Sequence, residues 1–78
     1  MNDYDRILST IRECGERLTI QRRLVIEALM ALSTHATIND IRRYIDDHNP
    51  DSGLAEPTVY RILQWLKGLG IVAQLMLA

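Results

Sequence analysis

The sequence predicts a mainly α domain: four helices followed by a short strand, a helix-turn-helix core with the beginning of a wing. Three observations carry this. Apolar residues recur at helical spacing in four separate segments, each segment is bounded by hydroxyl, proline or glycine punctuation, and the last stretch, Ile71 to Leu77, is short, apolar and β-branched at its start.

In the first segment Tyr4, Ile7, Leu8 and Ile11 share one helical face. Asp3 is the expected N-cap, and Gly15 is the expected stop. Cys14, near the end of this helix, is expected to be a small buried hydrophobe rather than a nucleophile, since no histidine is placed near it in sequence. Thr19 caps the second helix with its hydroxyl, and Ile20, Leu24, Val25, Ala28, Leu29 and Leu32 give that helix a broad face expected to be buried. Thr37 opens the third helix, with Asp40 three residues on as the acidic half of a capping box. Ile38, Ile41, Tyr44 and Ile45 form its apolar side, and Asp46 and Asp47 splay about 100° apart at its end, a poor acid–base pair. The segment His48-Asn49-Pro50-Asp51-Ser52-Gly53 is a loop.

The fourth helix follows from Pro57, which suits a first helical position because its missing N–H costs nothing there. Val59, Ile62, Leu63, Leu66 and Leu69 line up as one stripe. Thr58, Tyr60, Arg61, Gln64 and Lys67 occupy the rest of the wheel, and Gly68 and Gly70 are available to stop it.

Composition narrows the function classes. Seventy-eight residues make one domain, residues 1–78, and 47% hydrophobic content without a phenylalanine means an aliphatic core. No apolar run reaches the ~20 residues of a membrane span, and Asp3 and Asp5 stand where a signal peptide would be basic. A lone cysteine excludes an internal disulfide and suits a cytoplasmic location. No nucleophile–base pair, metal triad or glycine-rich phosphate loop points to an enzyme. The net charge of −1 argues against a strongly basic nucleic-acid binder, yet its distribution is uneven. Arg17, Arg22 and Arg23 fall in an acid-free stretch, and no acid follows Pro57. A helix with an apolar back and a front of guanidinium, amide, hydroxyl and phenol groups has what base reading requires. The plainer alternative is a solvated surface helix, since amphipathicity alone is common to both.

Four pieces of the chain, in order and in spacing, resemble the N-terminal DNA-binding domain of the ferric uptake regulator (Fur) family of metal-responsive repressors. They are Gly15-Glu16-Arg17-Leu18-Thr19-Ile20-Gln21-Arg22, His35-Ala36-Thr37-Ile38-Asn39-Asp40-Ile41, Thr58-Val59-Tyr60-Arg61-Ile62-Leu63 and Leu69-Gly70-Ile71-Val72. The resemblance implies a winged helix whose fourth helix enters the major groove of an A·T-rich palindromic operator. It implies that Tyr60 packs on thymine methyls, that Arg61 reaches base edges or phosphate, and that Arg17 reaches toward the minor groove. Thr19, Arg22 and Thr58 are implied phosphate contacts, with Gln64 and Lys67 beside them on the fourth helix.

Two positions depart from the family pattern. Ile20 stands where proline is frequent, and Glu56-Pro57 precedes the Thr-Val-Tyr-Arg piece where a small residue is common. Glu56 close to DNA would repel phosphate. Full members are expected to continue into a C-terminal domain that dimerises them and binds a divalent transition metal, iron, zinc or manganese. In this chain no CxxC or His-x-His occurs, so no cofactor and no metal site are expected within it. His35 is a candidate ligand only in company with residues of that second domain. The rival function is a winged helix that binds protein through Trp65 or the Leu75-Met76-Leu77 strand edge.

Overall fold

The computed structural model describes residues 3–32 and 36–70. Four helices follow one another: α1 (Asp3–Glu13), α2 (Ile20–Ala31), α3 (Ile38–His48) and α4 (Glu56–Gly68). The expected strand Ile71–Leu77, the loop positions 33–35 and the candidate ligand His35 lie outside the described residues.

Local chemistry sets most boundaries. The Thr19 hydroxyl accepts from the Arg22 N–H at 3.1 Å, satisfying one of the free donors that open α2. At α3 the capping box is complete. The Asp40 N–H donates to Thr37 Oγ1 at 3.1 Å, and the Thr37 N–H donates to Asp40 Oδ2 at 3.0 Å. The hydrogen bond from the Thr37 backbone is the main reason the Asp40 carboxyl sits below the usual aspartate range. α1 ends in a Schellman turn: the Glu16 N–H reaches the Ile11 carbonyl, the Gly15 N–H reaches the Arg12 carbonyl, and Gly15 takes φ +73°.

The core is aliphatic throughout. Ile11, Val25, Ile26, Ala28, Leu29, Ala36, Ile41, Ile45, Leu54, Val59, Ile62, Leu63 and Leu66 are buried, and among the described residues no polar side chain is. α2 is central, packing against α1, α3 and α4, and α3 packs against α4 as the two halves of the helix-turn-helix. Tyr4 and Arg23 both reach Glu27 from the two sides of the α1–α2 contact, Tyr4 by a hydrogen bond of 3.4 Å and Arg23 by an ion pair of 3.9 Å. Desolvation, and then the Glu27 charge, push the Tyr4 phenol up from its ordinary value.

The structure corrects five expectations. Asp3 lies inside α1, not ahead of it as a cap. Cys14 is exposed rather than buried, because it is the last residue before the Gly15 turn, where the chain leaves the core. Ile20 is 74% exposed, although it shares a helical phase with core residues. It is the first residue of α2, on the side of that turn open to solvent; Ile26, which the helical wheel leaves aside, is buried in its place. Pro57 is the second residue of α4, behind Glu56, a place that is also free of an intrahelical N–H bond. Gly68 is helical, and Gly70, at φ +79°, supplies the left-handed turn by itself.

Candidate nucleic-acid interface

α4 is fixed by its stripe. Val59 and Leu66 have no exposed surface, Ile62 and Leu63 are buried, and Leu69 is half-buried against them. Burial of this set, at about 1.5–3 kcal/mol for each large side chain, sets the helix's rotation. The rotation turns Tyr60, Arg61, Gln64 and Lys67 out to solvent, with Thr58 half-buried at the edge. Tyr60 is 52% exposed, a large aromatic ring held in water by the anchoring of its neighbours.

Beside this face lies an open cleft of about 340 Å³ lined by Arg17, Thr19, Gln21, Arg22, Thr58, Arg61, Ile62 and Trp65. Five residues singled out in the sequence, Arg17, Thr19, Arg22, Thr58 and Arg61, therefore converge from the α1–α2 connection, the start of α2 and the start of α4. Tyr60, Gln64 and Lys67 stay outside the cleft, on the open face of α4. No lining residue is acidic and three are arginines, with the Glu16 carboxylate outside the lining at 3.8 Å from Arg22. Glu56 is exposed in the first turn of α4 and is not part of the lining.

Two residues that sequence reasoning does not assign to this place shape it. Trp65 donates its indole N–H to Glu16 Oε1 at 3.2 Å, and its ring carries the Arg22 guanidinium, whose Cζ lies 3.8 Å from the ring centroid. Arg22 Nη1 also donates to the Arg17 carbonyl at 2.7 Å and stands 3.8 Å from Glu16 Oε1. Arg22 is thus spent largely on the protein, with 27% of its side chain exposed. Nothing local in the sequence marks this arrangement, because Glu16 and Trp65 are 49 positions apart.

Metal-binding side chains do not gather. Among the described residues no three of His, Cys, Asp and Glu come close enough to hold an ion. His48 stacks on Tyr44 at 3.9 Å and places Nδ1 2.9 Å from the Tyr44 carbonyl, Cys14 is exposed at the end of α1, and Asp46 and Asp47 are exposed on α3. Within the described residues no helix is long and apolar enough to cross a membrane.

Comparison with known proteins agrees with this architecture. The chain is 28% identical over 74 residues to the peroxide-responsive repressor PerR of Staphylococcus aureus strains USA300, NCTC 8325 / PS 47 and bovine RF122 / ET3-1. The alignment takes in 95% of this chain and 49% of each repressor, so the chain spans about half the length of the curated relatives it matches. No solved structure matches it. The sequence pattern of the ferric uptake regulator family fits residues 13–78, from the last turn of α1 through the cleft and α4 to the final residue: the chain belongs to the ferric uptake regulator family.

Proposed function

We propose that this chain is a sequence-specific double-stranded DNA-binding domain of a metal-responsive transcriptional repressor. The observation that carries the proposal is the convergence of Arg17, Arg22 and Arg61 on one acid-free cleft beside an exposed, polar face of α4. A helix anchored by an apolar back can enter the major groove only if its front bears donors, acceptors and flat apolar surface. In this reading Arg61 and Gln64 meet base edges, and Tyr60 lies on thymine methyls. Thr19, Thr58 and Lys67 meet phosphate. Arg17, on the connection before α2, reaches into an adjacent minor groove, where an A·T-rich tract deepens the negative potential that attracts guanidinium. Arg22 adds its charge to the wall of the cleft.

A protein-docking role has less support. The Trp65 surface is already occupied by Arg22 and Glu16, and the other candidate edge, Leu75-Met76-Leu77, lies outside the described residues.

By relation to the peroxide-responsive repressors, the proposal extends to a protein with a second domain that pairs two copies on a palindromic operator and binds iron, zinc or manganese. The described residues do not fit a metal site of their own, as the scattering of Cys14, His48 and the carboxylates makes plain. The test is selection of binding sites from random duplex DNA, with the chain fused to a dimerising segment so that two copies act together. Enrichment of an A·T-rich inverted repeat is the expected result. Recovery of no sequence preference, with binding set by salt alone, would overturn the proposal.

A further inference from the structure

Of the three arginines in the cleft, Arg22 is the one whose guanidinium is committed to the protein on several sides. One face lies over the Trp65 ring, with Cζ 3.8 Å from the centroid, and Nη1 donates to the Arg17 carbonyl at 2.7 Å. Glu16 completes the arrangement by accepting from Trp65 Nε1 at 3.2 Å while standing 3.8 Å from Arg22. Between Glu16 and Thr19 the chain has neither helix nor strand. The segment that carries Arg17 therefore depends on side chains to hold it against α4. Trp65 is four residues after Arg61, so the clamp closes on the strip of α4 that also presents Arg61.

We propose that Arg22 is a positioning residue for DNA recognition: stacked on Trp65, it holds the Arg17 backbone at a fixed offset from Arg61, and so sets the A·T preference of the flanking sequence without itself contacting phosphate. The inference rests on the DNA-binding reading above. Its physical basis is that a planar, forked cation can stack on an aromatic face and donate to a carbonyl at once. A lysine ammonium keeps the charge but loses the stacked, forked geometry. Two arginines that enter adjacent grooves must keep their separation, because a contact displaced by about an ångström loses most of its discrimination.

The experiment titrates the 78-residue chain at low salt against two labelled duplexes that share one core and differ in A·T-rich or G·C-rich flanks. Wild type is expected to favour the A·T-rich flanks by roughly tenfold. Arg17→Ala and Arg22→Lys are each expected to bring that ratio close to one, and Arg17→Ala combined with Arg22→Lys to match Arg17→Ala alone. Trp65→Leu, which leaves every cation in place but removes the stacking platform, should reproduce Arg22→Lys. Far-ultraviolet circular dichroism checks that each variant is folded, and should Arg22→Lys not fold, Trp65→Leu decides the matter. An unchanged flank ratio in a folded Arg22→Lys or Trp65→Leu overturns the inference and leaves the DNA-binding reading standing. The inference also falls if Arg22→Ala, added to Arg17→Ala, weakens both duplexes equally and lowers the salt slope by about 0.9, the signature of one lost phosphate contact. Wild type that binds neither duplex, by itself or fused to the dimerising segment, overturns both readings.

Discussion

Glu16 and Trp65, 49 positions apart, meet through a 3.2 Å hydrogen bond from the indole N–H to the carboxylate, and that bond ties the connection before α2 to the exposed side of α4. Of the two, Trp65 lines the cleft and Glu16 does not. The contact also separates two classes of residue on α4: those that hold the helix in place and those that the helix presents.

Arg61 belongs to the second class. Replacing it with alanine should reduce affinity for the selected site by roughly 5- to 150-fold, the equivalent of about 1–3 kcal/mol, with a smaller loss on random duplex. Titration of wild type and Arg61→Ala against both duplexes checks this. Equal losses on the two would make Arg61 a phosphate contact.

Leu66 belongs to the first class, with no exposed surface at the middle of the stripe, whereas Gln64 is open to solvent. Leu66→Ala should cost about 2–5 kcal/mol of stability, and Gln64→Ala should stay within about half a kcal/mol. Urea denaturation of both variants measures the contrast, and similar midpoints would mean that the two faces of α4 are assigned in reverse.

Asp40 links stability to acid. Its carboxylate is held in the charged form by the Thr37 N–H, so its pKa is lower folded than unfolded. The unfolded chain then binds the proton more readily. The stabilising contribution is present above the unfolded value near pH 3.8 and is lost as pH falls through the folded value. Asp40→Asn should flatten that acid limb in denaturation curves taken between about pH 2 and 6. A limb as steep as that of wild type would show that Asp40 carries none of it.

Metal should leave the DNA affinity of these residues unchanged, because a tight transition-metal site takes about three or four converging ligands and the described residues bring no such set together. Titrations with operator duplex in the presence of iron, zinc or a chelator should superimpose. A metal-dependent rise in affinity would place a site within the chain and make His35 the first residue to replace.

The features legible in the sequence are those set by near neighbours. Thr19 and Thr37 with Asp40 declare their caps within three or four positions, Gly15 marks its turn by being glycine, and the Val59–Leu66 stripe fixes its own phase. Ile20 shows where this stops. Its phase on the wheel is that of a core residue, but phase says nothing about which turns of a helix meet an apolar neighbour, and Ile20 in the first turn of α2 stays exposed. Cys14 escapes the same reasoning at the opposite end of a connection. The family resemblance assigns Arg17, Arg22, Thr58 and Arg61 to DNA one by one but does not foretell their gathering into one cleft, and the Arg22–Trp65 stack is legible in neither spacing nor resemblance, since both depend on how α2 and α4 cross.

α1 has a different standing from the other helices. Among the four it packs closely against α2 alone, and its residues 3–12 precede the span that fits the family pattern. An element with a single packed neighbour can detach without the rest of the domain melting, so its amide protons should exchange through sub-global openings rather than through complete unfolding. It is held along its length, by Ile11 in the core, by Ile7 and Tyr4 packed against that core, and by the Tyr4–Glu27 hydrogen bond near its start. Release of the Tyr4 end would fray α1 from its start while Ile11 stayed docked beside the Schellman turn. If α1 opens in this way, with Ile11 still docked, the connection that carries Arg17 keeps its anchor and the opening stops short of the cleft.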